Sequence, residues 1–406
     1  MSGAPIVLAF SGGLDTSYLV PRLAETTGRP VVAVSVDTGG LDAASRTALA
    51  ARARALGAAG FQLVDARAEL FDRVLRFLIA GNVRRGGTYP ISVGAERALQ
   101  AEVVARVARA LGATAVAHGS TAAGNDQIRF EVALRAAAPG LEILAPVRDQ
   151  PVSRAEEVAY LEARGLPVPA FGAAYSVNRG LWGTTIGGAE TLGSATPLAE
   201  SAWVVTREAF ANPRPPARHV LAFERGIPVS WDGERLAPVA LLERVEAVAG
   251  AFGIGRGIHL GETLLGIKGR VAFEAPAAET ILVAHRELEK LVLTGRQLRA
   301  KETVAALYGD LVHEGQLLEP VGRDLEAFLA SSQARVSGEV SLLLRPGSLA
   351  VEGVSSPHSL MAASRGVYGE RAGEWTAAEA RGFARLVALP GELAARAANP
   401  AEEGAS

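Results

Sequence analysis

The chain has 406 residues, 49% of them apolar, a formal net charge of −2 and no cysteine. The length suggests two domains or one with a large appendage. The near-neutral balance argues for no nucleic-acid or polyanionic partner, and the lack of cysteine removes disulfides, thiolate metal sites and thiol catalysis. Met1-Ser2-Gly3-Ala4-Pro5 carries no basic signal-peptide region and no apolar run reaches membrane length, so a cytoplasmic protein with no membrane partner is expected.

The first predicted element is a strand, Ile6-Val7-Leu8-Ala9-Phe10, an unbroken apolar run. It enters Ser11-Gly12-Gly13-Leu14-Asp15-Thr16-Ser17, and an amphipathic helix over 18–25 follows. Strand, glycine turn and helix leave backbone N–H groups and the hydroxyls of Ser11, Thr16 and Ser17 at a helix N-terminus, where an anion is favoured. Gly12 and Gly13 let the backbone approach a phosphate without a Cβ in the way. A carboxylate beside a phosphate repels it, so Asp15 either holds magnesium or organises the turn. The plainer alternative is a βα turn whose Ser and Asp cap the helix. No Gly-Lys pair occurs in the chain, which excludes a Walker A loop.

A second β-rich run, 31–36, ends at Asp37-Thr38-Gly39-Gly40. Then come a helix over 42–56, a strand over 61–65, a helix over 70–80, an irregular polar segment over 81–93 and a long helix over 95–111. A strand over 114–118, a helix over 128–137, a strand over 141–145 and a helix over 153–164 complete this half. The alternation implies right-handed crossovers and an α/β fold with a doubly wound, mainly parallel sheet. Ligands of such sheets sit beyond the strand C-termini at a switch point, so the loops after Phe10 and after His118 can face one crevice.

Pro167-Val168-Pro169 reads as a boundary, and the pattern beyond it is α+β. Short glycine-rich strands span 175–188, and a hairpin spans 220–231 with an Asp232-Gly233 turn after it. A helix over 240–252 and strand character over 258–273 follow. Residues 279–315 read as mostly helix, broken near Thr294-Gly295. A helix over 324–332, a hairpin over 340–351 and a helix over 375–398, interrupted at Pro390, lead to a small polar tail. The expected domains are a nucleotide-binding domain, 1–168, a synthetase and multimerisation domain, 169–375, and a C-terminal helix and tail, 376–406.

The densest polar cluster is His118-Gly119-Ser120-Thr121-Ala122-Ala123-Gly124-Asn125-Asp126-Gln127-Ile128-Arg129-Phe130-Glu131. Asn125 and Asp126 could simply cap a helix, with Gln127 and Arg129 on a solvated face. The cluster holds more than a cap needs: an amide for a urea-like group, a carboxylate for an ammonium and a guanidinium for a carboxylate. Those groups suit two amino-acid substrates.

The string Ser11 to Ser17 resembles the pyrophosphate-binding loop of the ATP pyrophosphatase (PP-loop) superfamily, whose members split ATP into AMP and pyrophosphate. Together the two loops resemble the argininosuccinate synthase family over nearly the full length. Tyr89, Tyr175-Ser176 and Gly266-Ile267-Lys268-Gly269-Arg270 join them, while residues 89–97 and 180–185 mark a divergent branch. The resemblance implies a cytoplasmic AMP-forming C–N ligase of arginine biosynthesis and the urea cycle, which joins citrulline to aspartate through a citrullyl-AMP intermediate and releases AMP and pyrophosphate. ATP is then a substrate accompanied by Mg2+, no protein metal site is expected, and the assembly is a homotetramer.

Residue by residue, the resemblance implies ATP binding by Ala9, Phe10, Ser11, Gly12, Gly13, Leu14, Asp15, Thr16, Ser17, Val36 and Gly119. It assigns aspartate to Thr121, Asn125 and Asp126. It assigns citrulline to Tyr89, Asn125, Arg129, Ser176, Thr185 and Glu262. Asp15, Asp126 and Arg129 are the catalytic candidates. Three departures fall on the citrulline side: Gly94 stands for a serine, Phe273 for a tyrosine, and Gly261 or Glu262 for a glutamate. The alternatives are the same chemistry on a modified citrulline or another ureido acceptor, a different PP-loop enzyme, and a non-catalytic ATP-binding paralogue. The second predicts a glutaminase domain, cysteines or a basic RNA face, and the third predicts damaged loops. Neither set of features occurs. His118 reads as structurally satisfied rather than as a base, Lys268 and Arg270 as a solvated face, Arg97 as a phosphate contact and Trp182 as packing.

Overall fold

A computed structural model describes residues 3–169 and 174–398, so the polar tail read at 399–406 lies outside the described residues. The first compact unit is 1–357 and the second 358–406.

The first sheet is built from β1 (Ile6–Ala9), β2 (Val31–Asp37), β3 (Gly60–Asp65), β4 (Ala115–Ala117) and β5 (Glu142–Leu144). Its order is β3-β2-β1-β4-β5 and every pair is parallel. Ile6 pairs with Val31 on one side and Ala115 on the other, so the strand order reverses at β1 and the switch point lies between β1 and β4. The doubly wound α/β expectation holds. Alternation along the strands sends side chains into two cores, as both faces of the sheet are covered. Ile6, Leu8, Val31 and Ala33 pack with Leu19 and Leu23 of the helix Leu14–Thr27. Val7, Val34 and Val116 pack into the larger core that includes Leu99, Val103 and Val104 of the helix Gly94–Ala110. The helical stretch Arg67–Gly81 contains one π-helical turn, Phe71–Leu75.

The remaining strands are β6 (Tyr175–Gly180), β7 (Gly183–Gly188), β8 (Ala217–Glu224), β9 (Ile227–Trp231), β10 (Glu234–Arg235), β11 (Arg256–Glu262), β12 (Lys268–Glu274), β13 (Gly338–Arg345) and β14 (Ser348–Ser355). They form two antiparallel sheets, β11-β12-β7-β6 and β10-β9-β8-β13-β14. The first of these meets the parallel sheet directly: Leu181 N–H donates to the Thr38 carbonyl at 2.9 Å. Trp182, fully buried, donates its indole N–H to the Pro90 carbonyl at 3.0 Å, which fits the packing reading.

The expected helix break falls at Leu293–Thr294, where Thr294 and Gln297 form a reciprocal capping box that starts the helix Gly295–Glu314. The expected interruption at Pro390 does not occur, because the helix Ala377–Ala398 runs through it. The proline deletes one backbone bond, and on an exposed helix water can satisfy the freed carbonyl.

Candidate functional site

Both glycine-rich loops line one cavity of about 600 Å³ beyond the C-terminal ends of β1, β2 and β4. Of the residues expected to bind ATP, Ala9, Phe10, Ser11, Gly13, Asp15, Thr16, Val36 and Gly119 line it. Gly12, Leu14 and Ser17 belong to the same turn but do not line the cavity. Thr121, Asn125, Asp126, Arg129 and Ser176 also line it.

The first loop is tied internally. Ser11 Oγ lies 3.1 Å from Thr16 Oγ1 and accepts the Gly13 N–H at 3.3 Å, while Thr16 Oγ1 donates to the Gly13 carbonyl at 3.3 Å. Arg52 donates to the Gly12 carbonyl from the neighbouring helix. No side chain caps the helix Leu14–Thr27, whose N-cap is Gly13, so the capping alternative does not describe this turn. Beneath it, the Glu157 carboxyl faces that of Asp15 and is 1% exposed, and neither Glu157 oxygen meets a donor among the described residues. Burial first, and the Asp15 charge second, raise the Glu157 carboxyl.

The second loop does not cap its helix either. Asn125 occupies the N-cap position of Asp126–Ala137 without a side-chain cap bond, and its Oδ1 accepts the Leu264 N–H at 2.9 Å from the β11–β12 turn. Asp126 is held by two arginines: Arg97 Nε donates to Oδ2 at 2.9 Å, and Arg129 Nη1 donates to Oδ1 at 2.8 Å. Burial alone would raise this carboxyl, but the two guanidinium groups outweigh it and hold it down at about 2. Asp126 is therefore ionised at any working pH.

A polar chain continues from there along the helix Gly94–Ala110. Arg97 Nη1 donates to Gln100 Oε1, Gln100 Nε2 to Thr38 Oγ1, and Thr38 Oγ1 to Glu96 Oε2, each at 2.8–2.9 Å. Arg97, Gln100 and Val104 line the cavity, as do Arg154 and Asn178. Sequence reasoning placed only Arg97 near the site. The 3- and 4-residue spacing of 97, 100 and 104 is the signal that would have put the others on the same helix face.

His118 directly follows β4, is 1% exposed and stacks its ring on Phe130 at 5.8 Å. Its Nδ1 accepts the Ser120 N–H at 3.3 Å, and burial pushes it down to about 4. His118 also lines the cavity and its buried Nε2 meets no partner among the described residues, so the expectation of a structurally satisfied histidine holds for Nδ1 alone.

The expected acceptor side is only partly gathered. Tyr89 is buried outside the cavity lining, between the rings of His259 at 5.6 Å and Phe273 at 5.2 Å. Thr185 sits on β7 opposite Phe273 and Asn178, also outside the lining. Glu262 ends β11, is exposed, and pairs with Lys268 at 3.1 Å beside a separate hollow that includes Arg85 and Leu264. A Cβ added to Gly94 would stand 3.5 Å from Arg129 Nη2, so the missing side chain borders this arginine. Arg270 is not on a solvated face: it donates to the carbonyls of Glu190, Gly193 and Thr196 and ties that loop to β12.

The arrangement combines an anion-binding turn, an ionised carboxylate between two guanidinium groups, and an amide, all within one cavity. It can hold a polyphosphate against amino-acid groups of both charges. Residues 5–167 match the arginosuccinate synthase N-terminal HUP domain, and residues 175–394 match the arginosuccinate synthase C-terminal domain. An argininosuccinate synthase from Dehalococcoides mccartyi is 38% identical over 394 residues, 96% of each chain. One from Xanthomonas campestris is 39% identical over 402 residues, covering 98% of this chain and 99% of that one. One from Methanocaldococcus jannaschii is 38% identical over 361 residues, covering 87% and 89%.

Proposed function

The chain belongs to the argininosuccinate synthase family of ATP-using ligases, and from that premise we propose that it condenses L-citrulline with L-aspartate, giving argininosuccinate, AMP and pyrophosphate. A urea is a poor electrophile. Attack of the ureido oxygen on the α-phosphorus expels pyrophosphate and makes that oxygen a leaving group. The aspartate amine then bonds to the ureido carbon, AMP departs and the amine loses a proton. No protein nucleophile is needed, so alignment and charge stabilisation supply the catalysis.

In this reading the Ser11–Ser17 turn holds the phosphates, and Val36 and Gly119 border the nucleotide. Thr121, Asn125 and Asp126 take aspartate, with Asp126 receiving the ammonium through lone pairs that the two arginines leave free. Arg129, Asn125 and Ser176 face the acceptor, with Tyr89, Thr185 and Glu262 behind or beside it. Mg2+ would accompany ATP. Asp15, with the Glu157 carboxyl against it and the Arg154 charge acting on that carboxyl, would supply oxygen ligands to the cation, which would neutralise phosphate charge.

The nucleotide domain is proposed as 1–168, the synthetase and multimerisation domain as 169–375, and the C-terminal helix and tail as 376–406. We further propose a cytoplasmic homotetramer. No helix among the described residues is long and apolar enough to cross a membrane.

The observation that carries the reading is Asp126 gripped by Arg97 and Arg129 in the cavity that also holds the phosphate-type turn. Asp126→Asn tests it. Losing one charge-assisted contact predicts an aspartate KM raised roughly 10- to 100-fold, with the ATP KM little changed. An equal rise for both substrates would remove the assigned role.

A further inference from the structure

His313 lies in the last turn of the helix Gly295–Glu314, 184 residues from Arg129 in sequence, and it grips that arginine twice. Arg129 Nε donates to the His313 carbonyl at 2.6 Å, and Arg129 Nη2 lies 3.1 Å from His313 Nδ1. Both side chains are buried. The close approach is built into the backbone: a Cβ on Gly315 would come within 2.7 Å of Arg129 Cα, and Gly315 has φ +79°. A cation at the end of a helix also meets the carbonyls that lack intrahelical partners.

The chemistry fixes the state of the ring. Arginine has no acceptor, so Nδ1 must accept, and the imidazole is neutral with its proton on Nε2. The charged and titratable groups facing it agree. Burial comes first, then Arg129, Arg85 and His259 push the ring down and Asp126 opposes them, leaving it at about 3.

Arginine carries five N–H bonds. His313 takes one on Nε and one on Nη2, and Asp126 takes one on Nη1. One N–H on each terminal nitrogen has no partner among the described residues, two donors that one carboxylate can accept.

We propose that His313 is a positioning residue that locks one edge of the Arg129 guanidinium, so that its two remaining N–H bonds are held ready for the carboxylate of the ureido amino acid. The lock spares substrate binding the entropy of ordering a long side chain. This rests on the reading that Arg129 meets the acceptor.

Steady-state kinetics with citrulline varied at saturating ATP and aspartate test it. His313→Phe keeps a buried ring without an acceptor, and a rise of about tenfold or more in citrulline KM is expected, with kcat and ATP KM changing far less. His313→Asn can offer an amide oxygen near the Nδ1 position, and it should restore most of the loss. His313→Gln reaches past that position, and its citrulline KM should stay raised. A wild-type citrulline KM in His313→Phe, or equal values in the Asn and Gln variants, would overturn the proposal. The Asn and Gln pair decides the matter if the Phe variant does not fold. Arg129→Ala separates the two readings: if it leaves citrulline KM unchanged, the assignment of Arg129 itself fails.

Discussion

Glu96 is 2% exposed. Its Oε2 accepts from Thr38, its Oε1 has no hydrogen-bond partner among the described residues, and Arg97 stands 3.9 Å away. Burial raises its carboxyl from 4.5 to about 7, against the pull of Arg97 and Thr38. An acid with a raised folded-state value binds its proton more tightly folded than unfolded, so stability falls as pH rises from about 4.5 to about 7 and is level beyond. Glu96→Gln removes that titration. Relative to the variant, the wild type should lose on the order of 3 kcal/mol at most between pH 4.5 and 8, read from denaturant unfolding at several pH values. Parallel stability curves would contradict this. Glu96 itself was not picked out in the sequence, because a buried glutamate on a helix reads like any exposed one until its neighbours are known. Asp126 and Arg129 were legible because their residue types are dense within one loop. Their partners were not: Arg97 is 29 residues from Asp126, and His313 is 184 from Arg129.

At the scale of elements, the parallel half was legible because its signals are local: continuous apolar runs, helices between them and glycine turns at strand ends. Thr294 and Gln297 likewise announce a helix start three residues apart. The antiparallel sheets were not legible beyond their hairpins. β8 pairs with β13 from Phe223 opposite Gly338 to Ala217 opposite Leu344, and β12 pairs with β7, across more than 80 residues in each case. No local pattern encodes such a register. The seam between the parallel sheet and β6–β7 depends on Gly39, which has φ +107° and whose Cβ would lie 2.4 Å from the Leu181 backbone nitrogen. Gly39→Ala should therefore cost roughly 2 kcal/mol or more in denaturant unfolding. A wild-type midpoint would show that the seam can open without cost.

At the scale of the molecule, the second compact unit ends its described part in the helix Ala377–Ala398. Phe383, Leu386, Val387 and Leu393 are exposed along it at helical spacing. That stripe supports the proposed assembly of copies of this chain, since an amphipathic helix gains stability by burying its apolar face. Light scattering should report a tetramer for the full chain and a smaller species for a chain ending at Pro357. A monomeric full chain would contradict the assembly. The departures expected from the resemblance, at Gly94, Phe273 and Gly261 or Glu262, all fall on the proposed acceptor side, so the acceptor is the most exacting test of the whole account. The decisive measurement is pyrophosphate release from ATP and aspartate with citrulline, compared with N-acyl citrullines and other ureido acids, alongside mass detection of the product. The account predicts release with citrulline and a product of argininosuccinate mass. Release only with another acceptor, or none from folded protein that still binds ATP, would contradict it.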